Sequence, residues 1–427
     1  MAVPEYDYIQ MHLLPFSLIF ILWIFTFYIF RLYDLNNAIS NRRFMALAIN
    51  SFVISGMLSA LIFYVTPFTT IEPKTNMIIF IFVYAILFFI WRNGFNKLLR
   101  SFIALENVAI IGYSQQVVNM LKEFDEQVHL GFDIKFIFRD QALSQDRKLI
   151  QLDNYRYYDT DSDLLELIKK FNISNFILAT DPKSSKGLNE LLFKCLPLKI
   201  NFINLHHFYE NILGRVPIEI INNSWFLENL SEGNKKFHDL FIRVIDIIYS
   251  VISLIIILPL FLLIALFIKL DSRGEVIYKQ TRVGKNGVNF TIYKFRTMLT
   301  GVHDEPTEEN DNRITKVGSF LRKSRIDELP QLYNVLKGEM SFIGPRPERP
   351  ELVQNLKKQV PYYNERLLIR PGITGWDQTS MEYHSPSYED TMKKLQYDLY
   401  YIKNRTILLD LIIVMRTITT VLSRKGR

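Results

Sequence analysis

The chain has 427 residues, with 50 Lys+Arg against 43 Asp+Glu and a formal net charge of +7. That length suits two or three compact units. The positive balance favours anionic partners, with nucleic acid, phosphorylated metabolites and anionic lipid head groups all open on charge alone. A single cysteine, Cys195, excludes an internal disulfide and a Cys-rich zinc site; it is read as a packed, inert thiol.

Three apolar runs open the chain: Leu13–Phe30, Phe44–Val65 and Met77–Trp91. Each is near the roughly 20 residues that a bilayer core requires, the third being the shortest. Residues 1–95 are therefore predicted to form transmembrane helices. The first residues lack the basic region of a cleavable signal. Arg31, Arg42 and Arg43 lie between the first two runs, and Arg92, Lys97 and Arg100 follow the third, whereas Lys74 alone precedes it. The excess of positive charge inside then sets the N-terminus outside and everything after Phe95 in the cytoplasm.

Residues 105–230 read as soluble α/β. "NVAIIGYSQQVVNMLKEF" has the pattern of a buried strand, a glycine turn and an amphipathic helix; "FDIKFIFRD", "ISNFILATD" and "LKINFINL" read as further strands. Alternating strands and helices imply a parallel sheet covered on both faces. Of a dinucleotide fingerprint only Gly112 is present; Ser114 and Val117 stand where the next glycines would fall. That is weak evidence for a nucleotide, and a packing or regulatory domain is the favoured reading.

The run Phe241–Leu270 is long enough to span a membrane, but Lys235, Lys236 and Arg243 flank one end and Lys269, Arg273, Lys279 and Arg282 the other. Both ends then read as cytoplasmic. Pro259, inside the run, removes a helix hydrogen bond and bends the helix. A helix that enters and returns on one side accounts for both features. Two later stretches, "PELVQNLKKQVPYYNERLLI" and "RTILLDLIIVMRTITTVLSRK", suit either the membrane interface or packing on the catalytic core.

The last segment carries the chemistry. In "KSRIDELPQL" the carboxylates Asp327 and Glu328 are adjacent, with Arg322, Lys323 and Arg325 just upstream. Sequence neighbours do not share a helix face, so the two acids are suited to different tasks. Asp327 is the candidate nucleophile, ionised at neutral pH and needing no separate base to attack phosphorus. Glu328 is the candidate Mg2+ ligand, since Mg2+ binds through one or two carboxylates plus substrate phosphates. On this decapeptide alone, acids in an ordinary first helical turn are the favoured explanation. Arg346, fixed between Pro345 and Pro347, offers a planar fork for phosphate oxygens. The acidic cluster "HDEPTEENDN", His303–Asn312, is read as a solvated loop rather than a metal site.

"YKFRTM", "RITKVGSFLRKSRIDELPQLYNVLKGEMSFIGPRPERPE" and "IRPGITGW" together resemble the signature of the monotopic polyprenyl-phosphate glycosyl-1-phosphate transferases, over residues 236–427. The N-terminal part is similar in layout to the large members, membrane helices followed by a Rossmann-like domain, although those usually have four helices and three are counted here. The resemblance implies a multi-domain protein of the bacterial inner membrane with an α-rich catalytic domain on the cytoplasmic face. It implies transfer of a sugar phosphate from a UDP-sugar to polyprenyl phosphate with release of UMP, Mg2+ as cofactor, the bilayer as partner and no nucleic acid. It assigns catalysis to Asp327 and Glu328, Mg2+ to Glu328, and phosphate binding to Arg322, Arg346 and Lys294. The family's helix breaks at Ser-Pro; the matching step here is Leu258–Pro259. A homodimer stays open. A membrane-tethered NAD-dependent sugar-modifying enzyme and a non-enzymatic scaffold or chain-length regulator are the rival expectations.

Overall fold

The computed structural model describes residues 6–30, 32–33, 42–65, 74–102, 106–125, 132–139, 152–159, 162–180, 186–230, 235–299, 311–380 and 387–422. Of the acidic cluster His303–Asn312, residues 303–310 lie outside them, and Asp311 accepts from Arg313. The chain divides into two compact units, Met1–Leu205 and His206–Arg427.

In the first unit the three apolar runs are helices α1 (Tyr6–Ile29), α2 (Arg42–Val65) and α3 (Lys74–Phe102). Trp23, Phe27 and Phe52 interlock in their core, and Trp23 Nε1 donates to Ser59 Oγ at 2.9 Å. Within α2, Phe44–Phe63 is long and apolar enough to cross a membrane; the apolar parts of α1 and α3, Pro15–Ile29 and Ile79–Phe95, are shorter.

The rest of the unit is a five-stranded parallel sheet. Its elements run β1 (Glu106–Ile111), α4 (Gln115–Asp125), β2 (Phe132–Arg139), β3 (Tyr157–Asp159), α5 (Leu164–Phe171), β4 (Asn175–Leu178), α6 (Lys186–Cys195) and β5 (Asn201–Asn204). The strand order is β3-β2-β1-β4-β5. The apolar runs of β1, β2 and β4 are continuous because both faces are covered: Ala109, Ile111, Phe136, Phe138 and Phe176 are wholly enclosed. Asp163 accepts from the Leu165 and Glu166 amides, and Asn172 closes α5 in the left-handed conformation, the usual caps. Gly112 has φ +100°, and a Cβ there would meet Thr180 Oγ1 at 2.7 Å. Cys195 is buried and donates to Leu191 O, with burial pushing its thiol upward, as an inert thiol requires. β3 falls within "YRYYD", a stretch too short to register as a strand.

The second unit opens with α7 (Leu205–Leu213) and α8 (Asn223–Asn229). Residues 206–230, grouped with the sheet on sequence alone, pack here: Val216, Trp225 and Leu230 share a core with Val353, Leu399 and Ile402. Then come α9 (Lys236–Asp271), the antiparallel pair β6 (Ile277–Val283) and β7 (Asn289–Phe295), α10 (Lys316–Lys323), a 3-10 turn (Ile326–Gln331), α11 (Leu332–Lys337), β8 (Ser341–Ile343), α12 (Pro350–Gln359), β9 (Gly372–Thr374), α13 (Tyr388–Asn404) and α14 (Ile407–Leu422). α9 passes through Pro259 and is long and apolar enough to cross a membrane. The sequence "KNG" makes the β6–β7 turn, with Asn286 and Gly287 both at positive φ, as such turns demand.

Candidate active site

Four segments converge on Asp327 and Glu328. The 3-10 turn that carries both acids starts after Arg325, which takes a left-handed conformation (φ 58°). This breaks the helical path from α10, so the acids are not a continuation of its face. Thr315 caps α10 by accepting from the Gly318 amide, and a Cβ at Gly318 would lie 2.1 Å from Thr297 O. Only glycine lets the start of α10 pack against the "YKFRTM" strand end.

Lys294 projects from β7, whose register with α11 is pinned by Asn334. That enclosed side chain accepts from the Tyr293 amide at 3.2 Å and donates to Thr291 O and Glu339 Oε2, both at 2.7 Å. Arg346 sits on the loop after β8. Gly344 and Gly372 bring that loop against the "RPGITGW" segment, since a Cβ at Gly344 would lie 2.4 Å from Arg370 O. Two further arginines hold the loop from below: Arg282 donates to Pro347 O at 3.1 Å and Arg366 to Arg346 O at 3.0 Å. Arg366 is itself fixed by Asp398 and the Tyr363 hydroxyl, and Glu348 is paired with Lys394.

The result is an unequal pair of buried carboxylates. Glu328 Oε1 accepts from both Lys294 Nζ and Arg346 Nη2, each at 3.0 Å. Asp327 Oδ1 is buried with no hydrogen-bond partner among the described residues. Burial works to raise Glu328, but the charges of Arg346, Lys294 and Arg325 outweigh it and hold Glu328 well below the usual carboxylate range. Asp327 goes the other way, pushed up to about 6 by burial and then by the Glu328 charge, against the pull of Lys294, Arg322 and Arg325. Opposite displacements of neighbouring acids are how a site assigns them different tasks.

The structure thus brings Lys294 and Arg346 onto Glu328 and places the charge of Arg322 on Asp327. Pro259 lies in α9, outside this cluster. Sequence reasoning gave no task to Arg325, Asn334, Arg366 or Asp398. Arg325 adjoined the motif and was noticed only as a nearby base; the other three carry no local signature. As a test for a divalent cation, Asp327 Oδ1 is an orphaned buried oxygen beside a second carboxylate, a donor set that suits Mg2+ completing its shell with phosphate and water. Among the described residues no cluster of three or more His, Cys, Asp or Glu makes an all-protein metal cage.

Residues 237–424 match the family model described as bacterial sugar transferase. A UDP-N-acetylgalactosamine-undecaprenyl-phosphate N-acetylgalactosaminephosphotransferase of Aeromonas hydrophila is 40% identical over 238 residues, 55% of either chain. This chain thus spans about half the length of that relative. UDP-glucose:undecaprenyl-phosphate glucose-1-phosphate transferases of Klebsiella pneumoniae and Xanthomonas campestris pv. campestris are 30% and 31% identical. Those alignments cover 77% and 78% of this chain and 69% and 70% of the relatives. The chain belongs to the bacterial sugar transferase family of polyprenyl-phosphate glycosyl-1-phosphate transferases, as its motifs imply.

Proposed function

We propose that this protein transfers a sugar 1-phosphate from a UDP-sugar to undecaprenyl phosphate, as its relatives' names describe for them, and so initiates a surface polysaccharide. The observation that carries the mechanism is the unpartnered Asp327 Oδ1 beside a clamped Glu328. Asp327 Oδ1 attacks the sugar-bearing phosphorus; an Asp O–P bond forms, the bridging P–O bond breaks and UMP departs with the electron pair. A phosphate oxygen of the lipid then attacks the same phosphorus and releases Asp327 as a carboxylate. Lys294, Arg322 and Arg346 would balance the negative charge that builds on the phosphoryl oxygens. Glu328 would hold Mg2+, which when bound supplies further charge neutralisation at those oxygens.

A two-stage exchange avoids holding two highly charged substrates together, but it requires the site to face both water and lipid. α9 supports that placement. Near its start Arg243 donates to Val335 O and Leu336 O, and Asp246 accepts from Ser341 and Phe342. At its far end Ser272 O accepts from Arg296, and Asp271 accepts from the Val317 amide. Both ends grip one catalytic body while Ile252, Ile255, Ile256, Leu258 and Leu262 between them are exposed. A straight crossing would put the ends on opposite faces, about 50 Å apart for a helix this long. We therefore read α9 as re-entrant about Pro259. Ile407, Leu408, Leu411, Val414 and Ile418 of α14 form an exposed apolar stripe suited to the interface. We place the catalytic unit on the cytoplasmic face of the inner membrane, with α1–α3 as further spans and the parallel sheet as a Rossmann-like domain.

Asp327→Asn tests the reading. Turnover of UDP-sugar with undecaprenyl phosphate in nanodiscs should fall by about 10⁴-fold or more. Activity near that of the parent chain would refute it.

A further inference from the structure

Lys294 Nζ and Arg346 Nη2 both donate to Glu328 Oε1 at 3.0 Å, so each spends part of its charge on a protein acid. Arg325 does not. Among the described residues its half-buried side chain makes no hydrogen bond and no ion pair, yet its charge reaches both acids and pulls Asp327 and Glu328 downward. The backbone shows that this side chain is kept at a cost. α10 ends at Lys323; Ser324 is still right-handed, and Arg325 turns left-handed with φ 58° and ψ 13°. The Arg325 amide donates to Arg322 O, and the Arg325 carbonyl accepts from the Glu328 amide, both at 3.2 Å. The residue thus closes α10 and opens the turn that carries the acids. Both bonds use backbone atoms alone, and a left-handed position after a helix favours glycine, which has no Cβ to strain. Gly338 fills that place after α11, with φ 85°. The turn by itself gives no reason for arginine at 325.

We propose that Arg325 is a further catalytic residue, whose guanidinium binds the non-bridging oxygens of the phosphoryl group that passes from nucleotide to lipid. A planar fork of donors suits two such oxygens. A charge felt by both acids lies close to the phosphorus that Asp327 is proposed to attack. The inference rests on that reading and adds to it a group that holds the phosphoryl through both stages. The transferred phosphoryl is present when UMP departs and again when the lipid phosphate attacks, whereas the nucleotide is held only in the first stage and the lipid only in the second.

Arg325→Gly keeps the backbone path and removes the side chain, so it separates structure from catalysis. In the full chain in nanodiscs, with undecaprenyl phosphate and the UDP-sugar that the parent turns over, kcat/KM should fall roughly 10²-fold, as for loss of one charge-stabilising donor. The thermal midpoint should stay level or rise, because the left-handed strain is relieved. Arg325→Lys, which keeps the charge without the fork, should recover about tenfold of that loss. Rapid quench resolves the stages: formation of the Asp327 adduct from UDP-sugar alone, and its discharge by undecaprenyl phosphate, should both slow in Arg325→Gly. Slowing of adduct formation alone would put Arg325 on the departing nucleotide, and slowing of discharge alone would put it on the lipid phosphate; either overturns the assignment to the transferred group. Parent-like rates in Arg325→Gly overturn the role altogether, as does a loss of activity that comes with a lowered thermal midpoint and is not recovered by lysine. Failure of the Asp327 reading looks different, since the parent chain itself then forms no adduct there, and the steady-state comparison of Arg325→Gly with the parent still decides whether Arg325 takes part.

Discussion

In the parallel sheet the enclosed side chains are Ala109, Ile111, Phe136, Phe138 and Phe176; in the second unit they include Asp327, Glu328, Arg366, Asp398 and Arg405. An apolar interior stabilises by removing surface from water and constrains little beyond shape and volume. Buried charges do the reverse: each costs desolvation energy unless paired, and an ion pair is weak evidence for stability by itself. A fold that encloses so many, and leaves Asp327 Oδ1 without a partner among the described residues, is holding charge in place for a purpose other than stability. The first interior is built to persist, and the second, on the proposed function, to react.

That contrast can be broken by substitution. Arg346→Ala removes one of the two cations on Glu328 and should lower kcat/KM by roughly 10²- to 10³-fold, as loss of a charge-stabilising donor does, with little change in resistance to proteolysis. Phe176→Ala should do the opposite. A cavity at an enclosed phenylalanine costs about 3–5 kcal/mol, seen as earlier cleavage within residues 106–204, while the folded fraction transfers sugar phosphate at a rate within about twofold of the parent. If Phe176→Ala instead abolished turnover in the folded fraction, the division of labour between the two interiors would be wrong.

A smaller and sharper effect lies in pH. As the proposed nucleophile Asp327 has to be ionised, and its carboxyl is pushed up to about 6. The rate should therefore fall as pH drops through 6, by about tenfold per unit once below it, where an ordinary Asp would hold out to about pH 4. Because the Glu328 charge is one cause of the rise, Glu328→Gln should move the acid limb to lower pH. An unmoved limb would show that burial alone sets it.

The elements set by local pattern were legible in the sequence: the apolar runs became α1–α3 and α9, and the expected strands became β1, β2, β4 and β5. The candidate site was legible wherever its residues share a motif, as Asp327 and Glu328 do with Arg322, or where proline marks a rigid loop, as at Arg346. What was not legible depends on pairings across the chain. Arg366 reaches back to Arg346 and forward to Asp398, and Lys235 donates to Ile402 O and Lys403 O; no periodicity links such positions. The packing of Val216 and Trp225 into the second unit, through Trp376 Nε1 on Gly214 O at 2.7 Å and Val216 N on Gln396 O at 3.1 Å, was hidden for the same reason. The contrast between the two acids was half visible. Their adjacency implied different directions, but only the reach of Lys294 and Arg346 decides which acid is clamped and which is left unclamped.

The most direct test is to quench the enzyme after mixing it with UDP-sugar in the absence of lipid phosphate, then to map the adduct by peptide mass spectrometry. The account predicts a hexose- or N-acetylhexosamine-phosphate mass on the peptide containing Asp327, discharged when undecaprenyl phosphate is added. The same mass on another residue, or UMP released at full rate with no adduct formed, would contradict it.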